Sequence, residues 1–238
     1  MLDSLGVMEK AQLDTKIPPL YTEDDVAQAM AQWRTFNYHE PLKIGEIQVV
    51  FRDAGHILGS SMIEFTINDR KLLFTGDLGN SPAPLLQPTE KITDIDYLVT
   101  ESVYGDRNHE QLEDRRLLLR QTIKDTIKAG GTLMIPAFSV ERTQELLFEI
   151  ENMMEDSEIP LVPVFLDSPL AIAVTKVYEK HKNLFNKEVR SIMNDGDGIF
   201  RFPQLQFTKS TDQSKAIINA ASQKIVIAGS GMSNGGRI

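Results

Sequence analysis

From residue 131 to residue 230 short runs of strand-forming residues alternate with stretches of helical spacing, and this alternation limits the folds open to the chain. TLMIPAF (132–138), PVFLDS (163–168), QLQFTK (204–209) and KIVIAGS (224–230) read as strands. Between them SVERTQELLFEIENMMED (139–156) reads as a helix. Ser168 caps a second helix with Pro169 at its first position, and Ser210 to Gln213 forms a capping box before a third. A further helix over 109–128 carries Leu112, Leu119, Ile123 and Ile127 on one face and is stopped by Gly130-Gly131. Strands that alternate with helices of this length predict a parallel sheet covered on both faces, an α/β architecture.

The first part of the chain has a different texture. Residues 22–34, TEDDVAQAMAQWR, read as a helix with Thr22 as N-cap, acids in the first turn, and Val26, Met30 and Trp33 on one face. EIQVVF, SMIEFTI and KLLFTGD then read as strands, the last two joined by a hairpin turn at Asn68-Asp69-Arg70, and DYLVTES (96–102) is a fourth. The change of pattern predicts two domains, 1–108 and 109–238.

Composition narrows the chemistry. The 238 residues include no cysteine, so disulfides, cysteine-ligated zinc and a cysteine nucleophile are excluded, and any metal must be held by His, Asp or Glu. No apolar run has the length of a membrane span, and MLDSLGVMEK has neither a basic n-region nor an apolar h-region, so a cytoplasmic location is expected. The formal net charge of −9 gives no global basic footprint for nucleic acid, although a local basic groove is compatible with it.

Three polar residues stand at the downstream ends of predicted strands: His56 in FRDAGHILGSS, Asp77 in LLFTGD and Glu101 in YLVTE. Strand ends are where a sheet can aim several side chains at one point. A neutral imidazole nitrogen together with carboxylate oxygens suits zinc or another divalent ion. Each residue also has a structural reading: His56 as donor to a carbonyl in a glycine-rich turn, Asp77 as a turn former, Glu101 as an exposed strand-end acid. His39 and His181 read as surface residues, and His109 is ambiguous. The terminal GSGMSNGG could cradle an anion on successive N–H groups, but it lacks the GxGxxG spacing and reads equally as a sharp turn.

Taken in order, DAGHILGSS, FTGDLGN, TESVYGDRNH, LMIPAFSVERTQE, FLDSPLA and AGSGMSNGGRI resemble the β-CASP family of metallo-β-lactamase-fold nucleases. The resemblance implies part of a metallo-β-lactamase αββα sandwich followed by a β-CASP α/β domain with a mainly parallel sheet. It implies that His56 is a zinc ligand, that Asp77 bridges two zinc ions, and that Glu101 acts in catalysis by orienting a histidine near the site. Val103 stands where the family commonly has threonine. The implied activity is zinc-dependent hydrolysis of phosphodiesters, with RNA as substrate and single-stranded DNA and a homodimer as further partners. Arg107, Arg142 and Arg237, each beside a motif, are candidates to line an RNA path.

The family's HxHxDH motif has no counterpart in this sequence, and its later histidines belong downstream of GSGM. Of the ligand set His56 and Asp77 remain, so the chain by itself is expected to be inactive and the second domain incomplete at its C-terminus. The rival readings are a non-catalytic β-CASP scaffold or nucleic-acid-binding protein, a small-molecule metallohydrolase, and, from the parallel sheet and glycine turn, a dinucleotide-dependent enzyme.

Overall fold

The computed structural model describes residues 20–80, 82–107, 112–194 and 198–229, and the chain divides into two units, Met1–Glu40 and Pro41–Ile238. His109, Arg237 and the GSGMSNGG turn from residue 230 onward lie outside the described residues.

In the first unit the expected helix is present as α1 (Glu23–Ala31). Thr22 accepts from the Asp25 N–H while Asp25 accepts from the Thr22 N–H at 2.8 Å, a reciprocal cap that satisfies two otherwise orphaned donors. Val26 is buried, whereas Met30 and Trp33 are exposed, Trp33 lying beyond the helix end.

The second unit contains both sheets. The first is β1 (Leu42–Ile44), β2 (Ile47–Asp53), β3 (Ser61–Ile67), β4 (Arg70–Phe74) and β5 (Tyr97–Val99), in that spatial order. β1 through β4 pair antiparallel and β5 joins β4 in parallel. The β3–β4 turn is the two residues Asn68 and Asp69, at φ 47° and 61°, with Ile67 paired to Arg70. Two consecutive left-handed residues match the right-handed twist of the flanking strands, and Asn and Asp tolerate that conformation better than most residues. KLLFTGD is shorter as a strand than its sequence predicts. Strand pairing stops at Phe74, and Gly76 at φ 55° turns the chain so that Asp77 leaves the sheet.

The second sheet is β6 (Thr132–Pro136), β7 (Val164–Asp167), β8 (Leu205–Phe207) and β9 (Lys224–Ala228), in the order β6-β9-β7-β8 and parallel throughout, as the alternation predicts. Its helices are α2 (Leu112–Lys128), α3 (Arg142–Glu155), α4 (Pro169–Lys180), α5 (Lys187–Asn194) and α6 (Thr211–Ala216). Alternate strand residues serve the two faces. Val164, Leu166, Ile225 and Ile227 are buried in a large cluster with Ile123, Leu147 and Ile172 from three of the helices, while Phe165 and Val226 pack with Ile217 in a smaller one. The first face is therefore covered by helices and the second only in part, since Met134, paired with Val226, stays exposed. Residue 108 falls between the two sheets in sequence, and among the described residues no helix is long and apolar enough to cross a membrane.

The helix predicted over 139–156 begins instead at Arg142. Glu141 has φ 62° and ψ −62°, and the Arg142 N–H donates to the Val140 carbonyl at 2.8 Å, closing a three-residue γ-turn that no α-helix can contain.

The hairpin turn gives a direct check on this geometry. Asp69→Val places a β-branched side chain at a left-handed position and is expected to cost about 1–2 kcal/mol of unfolding free energy. Asp69→Gly is expected to cost nothing, both read from urea denaturation midpoints.

Candidate metal centre

The topology of the first sheet brings the three strand-end residues to one edge. β2 and β4 are each antiparallel to β3 and so run in the same direction, and β5 is parallel to β4. The carboxyl ends of β2, β4 and β5 therefore share one edge. His56 follows β2, Asp77 follows β4 and Glu101 follows β5.

The loops there interlock through two glycines. The Gly79 N–H donates to the Ala54 carbonyl at 2.9 Å. A Cβ on Gly79 would lie 1.8 Å from the Gly55 carbonyl oxygen, and one on Gly55, at φ 63°, would lie 2.7 Å from the Thr89 nitrogen. Gly79 is thus required by backbone contact with the Gly55 segment, and Gly55 by backbone contact with residues 87–89. The Thr89 hydroxyl donates to the Ala54 carbonyl at 2.9 Å and tightens the same junction.

Both protein groups on this edge hold the residue after Asp77. His56 Nδ1 lies 3.2 Å from the Leu78 carbonyl, and the Leu78 N–H donates to Glu101 Oε1 at 2.7 Å. A carbonyl only accepts, so Nδ1 carries the proton and the exposed ring keeps its Nε2 lone pair for another partner. This is how a metal-ligating histidine is usually fixed, by a carbonyl on its other nitrogen. The structural reading of His56 as a donor to a nearby carbonyl therefore holds for one nitrogen and leaves the other free to ligate. Asp77 is exposed and directly precedes Leu78, whose carbonyl meets His56 Nδ1.

Imidazole nitrogen and carboxylate oxygen fit zinc in kind. Among the described residues no three His, Cys, Asp or Glu converge as a ligand set. His39 and His181 are exposed, in keeping with their reading as surface residues. Arg107 is engaged by Asp106 at 3.0 Å and Arg142 by Glu145 at 2.8 Å, so both candidate RNA-lining guanidiniums already have an in-chain carboxylate.

A second group of polar residues approaches the His56 loop from the other sheet's helices. The Tyr178 hydroxyl donates to Glu141 Oε2 and accepts from the Leu58 N–H at 3.3 Å. Tyr178 and Glu141 are both buried, and among the described residues Glu141 Oε1 has no partner. Burial pushes the Glu141 carboxyl up to about 7 against the opposing hydrogen bond from Tyr178, with nearby Glu145 adding to the rise. Glu145 is also raised, again chiefly by burial, with Arg142, Arg115 and His56 opposing. Sequence reasoning did not single out these acids. The available signal was an acid inside SVERTQE, next to an expected helix start; Tyr178 in VYEKHK carries none.

The raised Glu141 carboxyl has a defined effect on stability. Its ionised form is disfavoured only in the fold, so folded protein binds more protons than unfolded between about pH 4.5 and 7, and stability falls as pH rises through that window. Glu141→Gln removes the penalty while keeping an acceptor for Tyr178. Its stability relative to the parent is expected to rise between pH 5 and pH 8 by up to about 3 kcal/mol, measured by denaturation at each pH.

Residues 143–238 match the Beta-Casp domain. Over 236 residues, 99% of this chain and 52% of the relative, it is 33% identical to Ribonuclease TTHA0252 of Thermus thermophilus. It is 32% identical over 224 residues to an RNase J-like protein of Methanocaldococcus jannaschii, covering 92% of this chain and 51% of that one. It is 33% identical over 244 residues to the transcription termination factor FttA of Methanosarcina mazei, covering 100% of this chain and 38% of the relative. The chain thus spans about half the length, or less, of these relatives. With residues 143–238 matched to the Beta-Casp domain and 32–33% identity to these relatives over 92–100% of its length, the chain belongs to the β-CASP family.

Proposed function

We propose that the protein hydrolyses RNA phosphodiesters with zinc, and that His56 and Asp77 supply two of the zinc ligands. The observation that carries this reading is Leu78, next to Asp77: its carbonyl meets His56 Nδ1, which leaves Nε2 open, and its N–H donates to Glu101. When bound, zinc would supply Lewis acidity, activating water and neutralising charge on the phosphoryl oxygens. His56 presents Nε2 in a set orientation. Asp77 has two oxygens and can bridge a pair of ions. Glu101 holds the Asp77 segment through Leu78, and its second oxygen is the group that would orient a histidine.

Relatives named as ribonucleases support RNA as the substrate. A net charge of −9 means that affinity must come from local placement of cations and from the metals rather than from a global field. As no three candidate ligands converge among the described residues, we further propose that this chain by itself holds zinc weakly and does not cleave RNA.

The test is RNA cleavage by the full-length gene product in zinc, with His56→Ala and Asp77→Asn. Each substitution is expected to lower kcat roughly 100-fold or more while leaving the thermal midpoint within a few degrees. A full-length protein that binds RNA without cleaving it would replace this reading with the non-catalytic scaffold.

A further inference from the structure

The loop 54–60 that carries His56 satisfies most of its backbone from within. The Ala54 N–H donates to the Ser60 carbonyl at 3.3 Å and Gly55 to Asp53 Oδ1 at 2.8 Å. His56 and Ile57 both donate to the Ser60 hydroxyl, at 3.1 and 3.2 Å, and Ser60 donates to the Ile57 carbonyl at 2.9 Å. Leu58 is different. Its N–H points out of the loop and reaches the Tyr178 hydroxyl, across 120 residues of chain.

That hydroxyl is itself fixed. Tyr178 is 1% exposed, its ring packs in the large core cluster, and its proton is directed at Glu141 Oε2. Glu141 occupies the γ-turn, a backbone conformation that costs a non-glycine residue free energy and persists where surrounding structure holds it. The turn also keeps the Glu141 carboxylate off the α3 N-terminus, where it makes no capping bond. The strained turn thus aims a buried acceptor at Tyr178, and the donor side of Tyr178 leaves a lone pair for Leu58. Leu58 packs on the same core cluster as the Tyr178 ring.

We propose that Glu141 and Tyr178 are positioning residues for His56: they tie the His56 loop to helices α3 and α4 and so set the direction of His56 Nε2. The inference rests on the reading of His56 as a metal ligand for its meaning in function, but the tie itself concerns the metal-free chain. It would make the orientation of a ligand on the first sheet depend on the packing of the second sheet's helices.

The test is NMR on the metal-free chain, with amide hydrogen exchange and long-range ring ¹H–¹⁵N correlation for His56. In the parent, His56 should show the tautomer protonated at Nδ1 and Leu58 should exchange slowly. Tyr178→Phe keeps the ring and removes the tie, and should speed Leu58 exchange about tenfold or more and mix the His56 tautomers. Exchange at Ile225 and Ile227 in β9 should stay within about twofold. Glu141→Gln, which keeps an acceptor for Tyr178, should retain the parent tautomer and the slow Leu58 exchange. Unchanged Leu58 exchange and an unchanged tautomer in Tyr178→Phe would overturn the proposal. So would a uniform rise that includes Ile225 and Ile227, since that is loss of packing alone. Because no cleavage is measured, failure here leaves the ribonuclease reading standing, and failure of that reading leaves this result intact.

Discussion

The backbone of Leu78 is held from two directions, and the rest of the site depends on it. Its N–H is taken by the Glu101 carboxylate and the following carbonyl, that of Leu78, by His56 Nδ1. A charge-assisted bond of 2.7 Å on one side and an imidazole on the other join the ends of β2, β4 and β5 through one residue. The same contacts that order the loop decide which imidazole nitrogen is available. Order and ligand chemistry therefore have one cause.

Backbone approach makes this possible. Gly55 and Gly79 meet so closely that no side chain fits on Gly79, and the Ala54 carbonyl accepts from both the Gly79 N–H and the Thr89 hydroxyl. Two loops separated by more than twenty residues in sequence are thereby locked together without a large apolar contact. The apolar contribution comes from beneath, where Ala54, Met62 and Leu73 form a small buried cluster with Leu78, Ile92 and Ile95 against it. Leu78 thus anchors the segment by its side chain while its backbone serves the site.

Much of this was legible in the sequence where a local rule governs. The alternation of strand and helix after residue 131 predicts the parallel sheet, and Asn68-Asp69 predicts a tight hairpin, because both depend on neighbours in the chain. His56, Asp77 and Glu101 were legible as strand-end residues and as matches to family motifs. β1 was not, since Leu42–Ile44 is too short for alternation to register, and its Gly45-Glu46 turn is weak evidence alone. The start of α3 was misread because the helical pattern of SVERTQELL conceals a γ-turn that only the tertiary bond to Tyr178 explains. The Leu58–Tyr178 contact was invisible for a simpler reason: its donor is a backbone N–H, which no residue type marks.

The central claim is that His56 presents Nε2 to a metal beside Asp77. The direct measurement is a zinc titration of the isotopically labelled chain, following the ring nitrogens of its histidines. The account predicts that His56 Nε2 shifts, that Nδ1 keeps its proton, and that Asp77→Asn weakens the effect roughly tenfold. Zinc that shifts His39 or His181 and leaves His56 untouched would contradict it.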